Sequence, residues 1–251
     1  MSEPTAADTP LLRLQGVTKT FSGLTALDDV SFDVQRGQIT GVIGPNGAGK
    51  TTLFNVIAGT FPPTSGEVLL RGERVTGLPA HRIARAGIAR TYQLMKPFGT
   101  MSVRDNVMIA ALQRHDSMDA ARTRASEIVE QVGLGTWIDD TAGELSTAGR
   151  KRLELARALA LDPDLLLLDE VLAGLVPAER APVIELLTDI RATGVTMLFV
   201  EHVMAAVMRL SDEIVVLHHG EVLASGTPDE VANDPVVIEA YLGEEQAIAE
   251  G

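Results

Sequence analysis

Nine consecutive residues, Gly44-Pro45-Asn46-Gly47-Ala48-Gly49-Lys50-Thr51-Thr52, have the types and spacing of a phosphate-binding loop, G-x-x-x-x-G-K-[ST]. Glycines let the backbone curl so that several N–H groups point inward, and the helix that follows adds the positive end of its dipole. Such a cradle holds a triphosphate: Lys50 would reach the β- and γ-phosphates, and Thr51 would ligate Mg²⁺. The plainer alternative is a Gly-rich turn before an ordinary helix. At average glycine usage, a chance match in a chain of this length is on the order of one in a hundred. The flanking context, a β-rich run before and a helical run after, lowers it further.

A second constellation lies at Leu165-Leu166-Leu167-Leu168-Asp169-Glu170, an aliphatic run closed by two carboxylates. Ligands in open α/β sheets bind at the carboxyl ends of strands. Asp169 would then face the crevice of Lys50 and hold the metal, while Glu170 would orient or deprotonate an attacking water. His202 follows another predicted strand and would hold the γ-phosphate and the water; by position alone a solvated loop histidine is an equal reading. Gln93 follows a third, shorter strand at the boundary with the helical segment, where its amide could touch Mg²⁺ or the water, although most glutamines are surface residues. Phe21 follows the first predicted strand and could stack on adenine or fill the core.

These residues require elements to position them. Strands are predicted over Leu11–Thr18, Val30–Val34, Ile39–Ile43, Gly66–Leu70, Gly87–Thr91, Leu165–Leu168, Val195–Val200 and Glu213–Leu217. Helices are predicted over Lys50–Ala58, Met118–Val132, Arg150–Leu161, about 178–192 and Val203–Leu210. The alternation after Leu165 implies a parallel sheet with crossover helices. His218–Gly226 reads as a hairpin turning at Gly220.

Composition bounds the rest. A chain of 251 residues, 45% apolar and 22% charged, fits one large domain with its own core. A net charge of −13 and 4% aromatics argue against nucleic acid as a partner. Without cysteine there is no disulfide or thiolate metal site. The N-terminal run MSEPTAADTP lacks the apolar core of a signal peptide. No stretch approaches the roughly 18 apolar residues of a membrane span, so any membrane role needs other chains.

Taken together, the motifs resemble the ATPase subunits of ABC transporters. The resemblance runs from about residue 11 to 243, and its elements come in that family's order: the phosphate loop, Gln93, a signature-like Leu145-Ser146-Thr147-Ala148-Gly149, then Asp169-Glu170 and His202. Finer runs are similar to the ATPases of branched-chain amino-acid importers: Gly87-Ile88-Ala89-Arg90-Thr91-Tyr92-Gln93, Ala173–Glu179, Val200-Glu201-His202 and Ala240–Gly243. Urea-importer and lipopolysaccharide-export ATPases look similar in places. A soluble regulatory ABC protein is the reading of a different class, which intact Glu170 and His202 disfavour.

The resemblance implies an α/β fold of P-loop NTPase (RecA-like) type, with a parallel sheet, an N-terminal antiparallel β subdomain and a helical subdomain inserted at about 95–160. Residues 1–10 and 244–251 would be tails around a single domain, 11–243. It implies ATP and Mg²⁺ as ligands, integral-membrane permease subunits docking near Leu94–Arg104, and indirectly a solute-binding protein. A second ABC ATPase subunit would complete a head-to-tail pair at the cytoplasmic face of the membrane. Ser146 and Gly149 would then meet the partner's γ-phosphate, although Ser146 also suits a plain helix N-cap. The chain departs from the family at Ala148, where a second glycine is usual, at Gly149 in place of Gln, at Val171 in place of Pro, and at Val176 in place of a polar residue. Those changes suggest a competent hydrolytic half for its own site and a weaker signature for the other.

Overall fold

A computed structural model describes residues 9–91 and 97–240 of the chain. Gln93 with its neighbours Tyr92 and Leu94–Lys96, the first eight residues, and the end from Tyr241 onward lie outside the described residues.

In chain order, β1 (Leu12–Phe21) and β2 (Leu24–Val34) form an antiparallel pair, and β3 (Ile39–Ile43) leads into α1 (Lys50–Ile57). Next come β4 (Ser65–Leu70), the two-residue β5 (Glu73–Arg74), α2 (Ala80–Ala86) and β6 (Ile88–Arg90). Three helices follow: α3 (Val103–Ala111), α4 (Met118–Gln131) and α5 (Thr147–Leu159). The chain then alternates through β7 (Leu165–Asp169), α6 (Pro177–Ala192), β8 (Thr196–Val200), α7 (Met204–Leu210) and β9 (Glu213–His218). It turns into β10 (Glu221–Gly226) and α8 (Pro228–Ala232).

Among the described residues the strands form two sheets. One is antiparallel, ordered β2-β1-β4-β5; the other is ordered β10-β9-β3-β8-β7-β6, with only the β9–β10 pair antiparallel. This is the predicted α/β architecture, antiparallel β layer included.

The central strands are apolar throughout because both faces are covered. On β7, Leu165 and Leu167 join a cluster with Leu12, Leu14, Phe54 and Ile57, beneath the antiparallel sheet and α1. Leu166 and Leu168 point the other way, into a cluster with Leu153, Leu187 and Ile190 of the crossover helices. The same alternation divides β8, with Met197 and Phe199 on the helical side and Leu198 and Val200 on the other. Two buried faces fix the register, and with it the position of every strand's carboxyl end.

The predicted elements differ from the observed ones at their ends. β2 begins at Leu24, six residues before Val30, along a stretch that is mostly exposed. α5 starts at Thr147 rather than Arg150, because the Ser146 hydroxyl accepts from the Gly149 N–H at 3.1 Å and caps it. The helical stretch is joined to the core by Arg114, which donates to the carbonyls of Leu161 at 2.6 Å, Ala84 at 3.1 Å and Arg85 at 3.2 Å.

A candidate nucleotide site at the start of α1

Gly49 precedes α1 with φ 104°, and no side chain caps the helix. The first N–H groups of α1 therefore have no intrahelical partner, and its first turn carries no acid to compete for them. The left-handed backbone at Gly49 is one L side chains rarely adopt, and a Cβ there would sit 2.6 Å from the Ala26 carbonyl. Gly44 is tighter still: a Cβ would approach the Leu217 carbonyl to 2.1 Å. Main-chain bonds hold the loop from outside. The Gly220 N–H donates to the Ala48 carbonyl at 3.1 Å, and the Asp28 N–H donates to the Gly220 carbonyl at 2.8 Å.

The resulting pocket is lined by Ala26, Asn46, Gly47, Ala48, Gly49, Lys50, Thr51 and Thr52 on one side, and by Glu170 and His202 on the other. The structure thus brings together residues more than 100 positions apart in sequence, at the ends of β3, β7 and β8. Lys50 is buried, and its Nζ donates back to the loop carbonyls of Gly44 at 2.5 Å and Pro45 at 2.8 Å. That arrangement closes the loop around its own cation. A triphosphate offers the same ammonium stronger, charged acceptors.

Glu170 and His202 are in contact: His202 Nε2 lies 3.0 Å from Glu170 Oε1. Glu170 adopts φ 51°, in the left-handed region, and its N–H donates to the Val200 carbonyl at 3.0 Å. For a residue with a Cβ this backbone costs on the order of 1–3 kcal/mol, and such strain collects where a side chain must be aimed. Asp169 is buried and does not line the pocket. Its buried carboxylate accepts from Arg90 at 2.7 Å, and its N–H donates to the Thr91 hydroxyl at 3.2 Å.

Other predicted residues fall elsewhere. Phe21 is not among the lining residues, and at 40% exposed it is no core aromatic; its ring meets Phe61 edge-on at 5.2 Å, with Lys19 Nζ 4.9 Å away. Ser146 and Gly149 sit at the start of α5 and line no part of this pocket. Val171 is buried, Ala148 packs against the helical-side core, and Val176 is 57% exposed.

Three residues that motif reading passed over support the site. Arg90 pairs with Asp169. Lys151 Nζ donates to the Glu170 carbonyl at 2.9 Å. Glu201 accepts from the Leu172 N–H at 2.7 Å and from the backbone of His202. Burial pushes the Glu201 carboxyl above its ordinary range, opposed by those two bonds and by the Lys151 charge. Burial pushes the Lys151 ammonium down, offset by attraction to Glu201 and Glu170. Arg90 and Glu201 lay within runs noted for other residues, and Lys151 is one of only four lysines.

Among the described residues no three His, Cys, Asp or Glu cluster as a metal cage. The Thr51 hydroxyl, in the pocket lining, is an oxygen group of the kind magnesium takes when phosphate and water complete its shell; the Asp169 carboxylate is another, outside the lining and bonded to Arg90. Also among the described residues, no helix is long and apolar enough to cross a membrane.

Comparison with known proteins agrees with this geometry. The family model for the ABC transporter matches residues 27–173, and a model named for the branched-chain amino acid ATP-binding cassette transporter matches 221–247. The high-affinity branched-chain amino acid transport ATP-binding protein BraF of Pseudomonas aeruginosa is 40% identical over 252 residues, covering 94% of this chain and 98% of that protein. LivG of Escherichia coli K12, named for the same transport, is 39% identical with the same coverage. The lipopolysaccharide export ATP-binding protein LptB of Acidithiobacillus ferridurans is 34% identical, covering 94% and 98%. Among solved structures, the ADP conformation of MJ1267, an ATP-binding cassette of an ABC transporter, superposes with a TM-score of 0.84 at 32% identity, covering 93% of this chain and 98% of that one. With its phosphate loop, its paired Glu170 and His202 and this full-length similarity, the chain belongs to the ABC transporter family, as one of its ATP-binding subunits.

Proposed function

We propose that this chain hydrolyses ATP to drive import of branched-chain amino acids, or a similar small polar solute, through membrane subunits that it meets at the cytoplasmic face. The Glu170–His202 contact, facing the start of α1 across one pocket, carries the reading. Backbone N–H groups of residues 46–52 and the Lys50 ammonium bind the β- and γ-phosphates. Mg²⁺, when bound, neutralises charge developing on the phosphates, with Thr51, Asp169 and Gln93 as the residues that would hold it or its waters. Glu170 accepts the proton of the attacking water, and His202 keeps that carboxylate and the γ-phosphate in line. Phe21 would leave Phe61 to stack on adenine.

A second ABC ATPase subunit completes the machine. Ser146 and N–H groups at the start of α5 would face the partner's γ-phosphate, and Gly149 would keep that approach open. Nucleotide shifts the pair between open and closed states, and the permease subunits follow. Ala148 and Val176 leave this chain's half of the other site weaker, which suits pairing with a different ATPase. A solute-binding protein acts on the far side. The match of residues 221–247 to the branched-chain model favours this solute class over urea import or lipid export.

The test is to purify the chain with its membrane partners and compare wild type with Glu170→Gln. Turnover should fall by at least about a hundredfold, the usual worth of a general base, with nucleotide retained. Equal, slow rates in both would leave Glu170 outside the chemistry and make the chain a regulatory nucleotide binder.

A further inference from the structure

Glu170 must hold its carboxylate against His202 from a backbone that most residues avoid. Two bonds from other elements grip the backbone of this residue, beside the Ala173 N–H, which donates to its carbonyl at 3.1 Å from within the same turn. Its N–H is held by the Val200 carbonyl at 3.0 Å, from β8 in the middle of the sheet. Its carbonyl is held by Lys151 Nζ at 2.9 Å, from the second turn of α5. The first anchor belongs to the rigid core. The second belongs to the helix whose capping residue, Ser146, lies five positions earlier.

A lysine is a costly choice there. Its ammonium has left much of its water, and attraction from the carboxylates of Glu201 and Glu170 offsets part of that loss. Buried Glu201 in turn holds the N–H of Leu172 and the backbone of His202. One cation and one carboxylate thus bracket the loop that carries the base and the residue that orients it. A bolt serving stability alone would be as good in apolar form.

We propose that Lys151 is a positioning residue that carries the state of the α5 start to Glu170, so that engagement of one ATP at Ser146 sets the base acting on the other. This rests on the head-to-tail reading given above, in which Ser146 and Glu170 of one chain serve different ATPs. Within a single chain, Lys151 is then the direct link between them. A shift of α5 by a fraction of an ångström would lengthen the bond to the Glu170 carbonyl and leave the strained backbone to its Val200 and Ala173 bonds alone. The carboxylate would lose its aim while the phosphate loop stayed intact.

The experiment uses the assembled complex and measures kcat and KM for ATP in Lys151→Met, Lys151→Arg, Ser146→Ala and the Ser146→Ala/Lys151→Met double variant. Lys151→Met should lower kcat about tenfold and leave KM within about twofold, the signature of a lost transition-state aim rather than lost binding. Lys151→Arg, which keeps a cationic donor, should recover most of the rate; if it folds as wild type and is as slow as Lys151→Met, the proposal is overturned. The double variant should be no slower than the slower single change by more than about twofold, because both cut one chain of contacts. Effects that multiply would separate Lys151 from Ser146 and overturn the transmission. Wild-type turnover in Lys151→Met beside an inactive Glu170→Gln overturns this proposal alone, whereas full turnover in Glu170→Gln overturns the ATPase reading itself.

Discussion

Arg90 donates to the Asp169 carboxylate at 2.7 Å across neighbouring strands, with both side chains less than a tenth exposed. The same guanidinium donates to Asn55 Oδ1 at 2.7 Å and so ties β6 and β7 to α1. Removing one member of such a pair strands the other charge in the interior. Arg90→Met should therefore lower the unfolding free energy by about 3–5 kcal/mol, read from denaturant melts of the isolated chain. Arg90→Lys should recover only part, because a compact ammonium lacks the span and fixed geometry of a planar fork that reaches acceptors on two elements. An unchanged midpoint in Arg90→Met would show that Asp169 does not need its partner.

Val176 occupies the N-cap of α6 with cap-like angles, φ −72° and ψ 158°, but its side chain has no atom that can accept a bond. Only the reciprocal half of a capping box forms, from the Val176 N–H to Glu179 Oε2 at 3.1 Å. Since the side chain is largely exposed, replacing it removes little packing. Val176→Asn should raise stability by about 0.5–2 kcal/mol in the same melts. No gain would mean that Pro177 and the Glu179 bond already hold the helix start.

How much of this was legible in the sequence depended on how local the cause was. Ile39–Ile43 and Lys50 as the first residue of its helix were legible because an apolar run and a glycine loop speak for themselves. The aim of Glu170 and His202 into one pocket followed from the rule that strand ends share a crevice. The Arg90–Asp169 pair was not legible, because it joins positions 79 apart through strand order, which no local pattern fixes. α2 escaped for the opposite reason: of its seven residues only Ile83 is buried, too little for an amphipathic signal. The early start of β2 was hidden by its exposure and by irregular pairing with β1, which slips register near Val17 and Lys19. Lys151 was visible as a rare lysine, but its target is a main-chain carbonyl, which leaves no mark in sequence.

Glu230 offers a pH-dependent test away from the site. Its carboxylate accepts from the Thr227 N–H and hydroxyl, each at 2.8 Å, and the backbone bond foremost holds its pKa below the ordinary value. Between that lowered value and the unfolded value of about 4.3, the native chain binds fewer protons than the unfolded one. The stabilisation is complete above this window and is lost as pH falls through the native value. The melting temperature of wild type should therefore exceed that of Glu230→Gln at neutral pH, and the gap should close in acid. A gap that is constant with pH would assign the cap to geometry and not to charge.

The phosphate loop is held at its back by bonds from Gly220 to Ala48 and from Asp28 to Gly220, every one of them between main-chain atoms. No side chain writes this contact, so none is required to preserve it. A descendant of the chain could exchange Asp28, His218 or Val222 for quite different residues and still inherit the same cradle. One inserted residue between β9 and β10 would carry the Gly220 amide out of register and lose it. What such a hairpin hands on is its length.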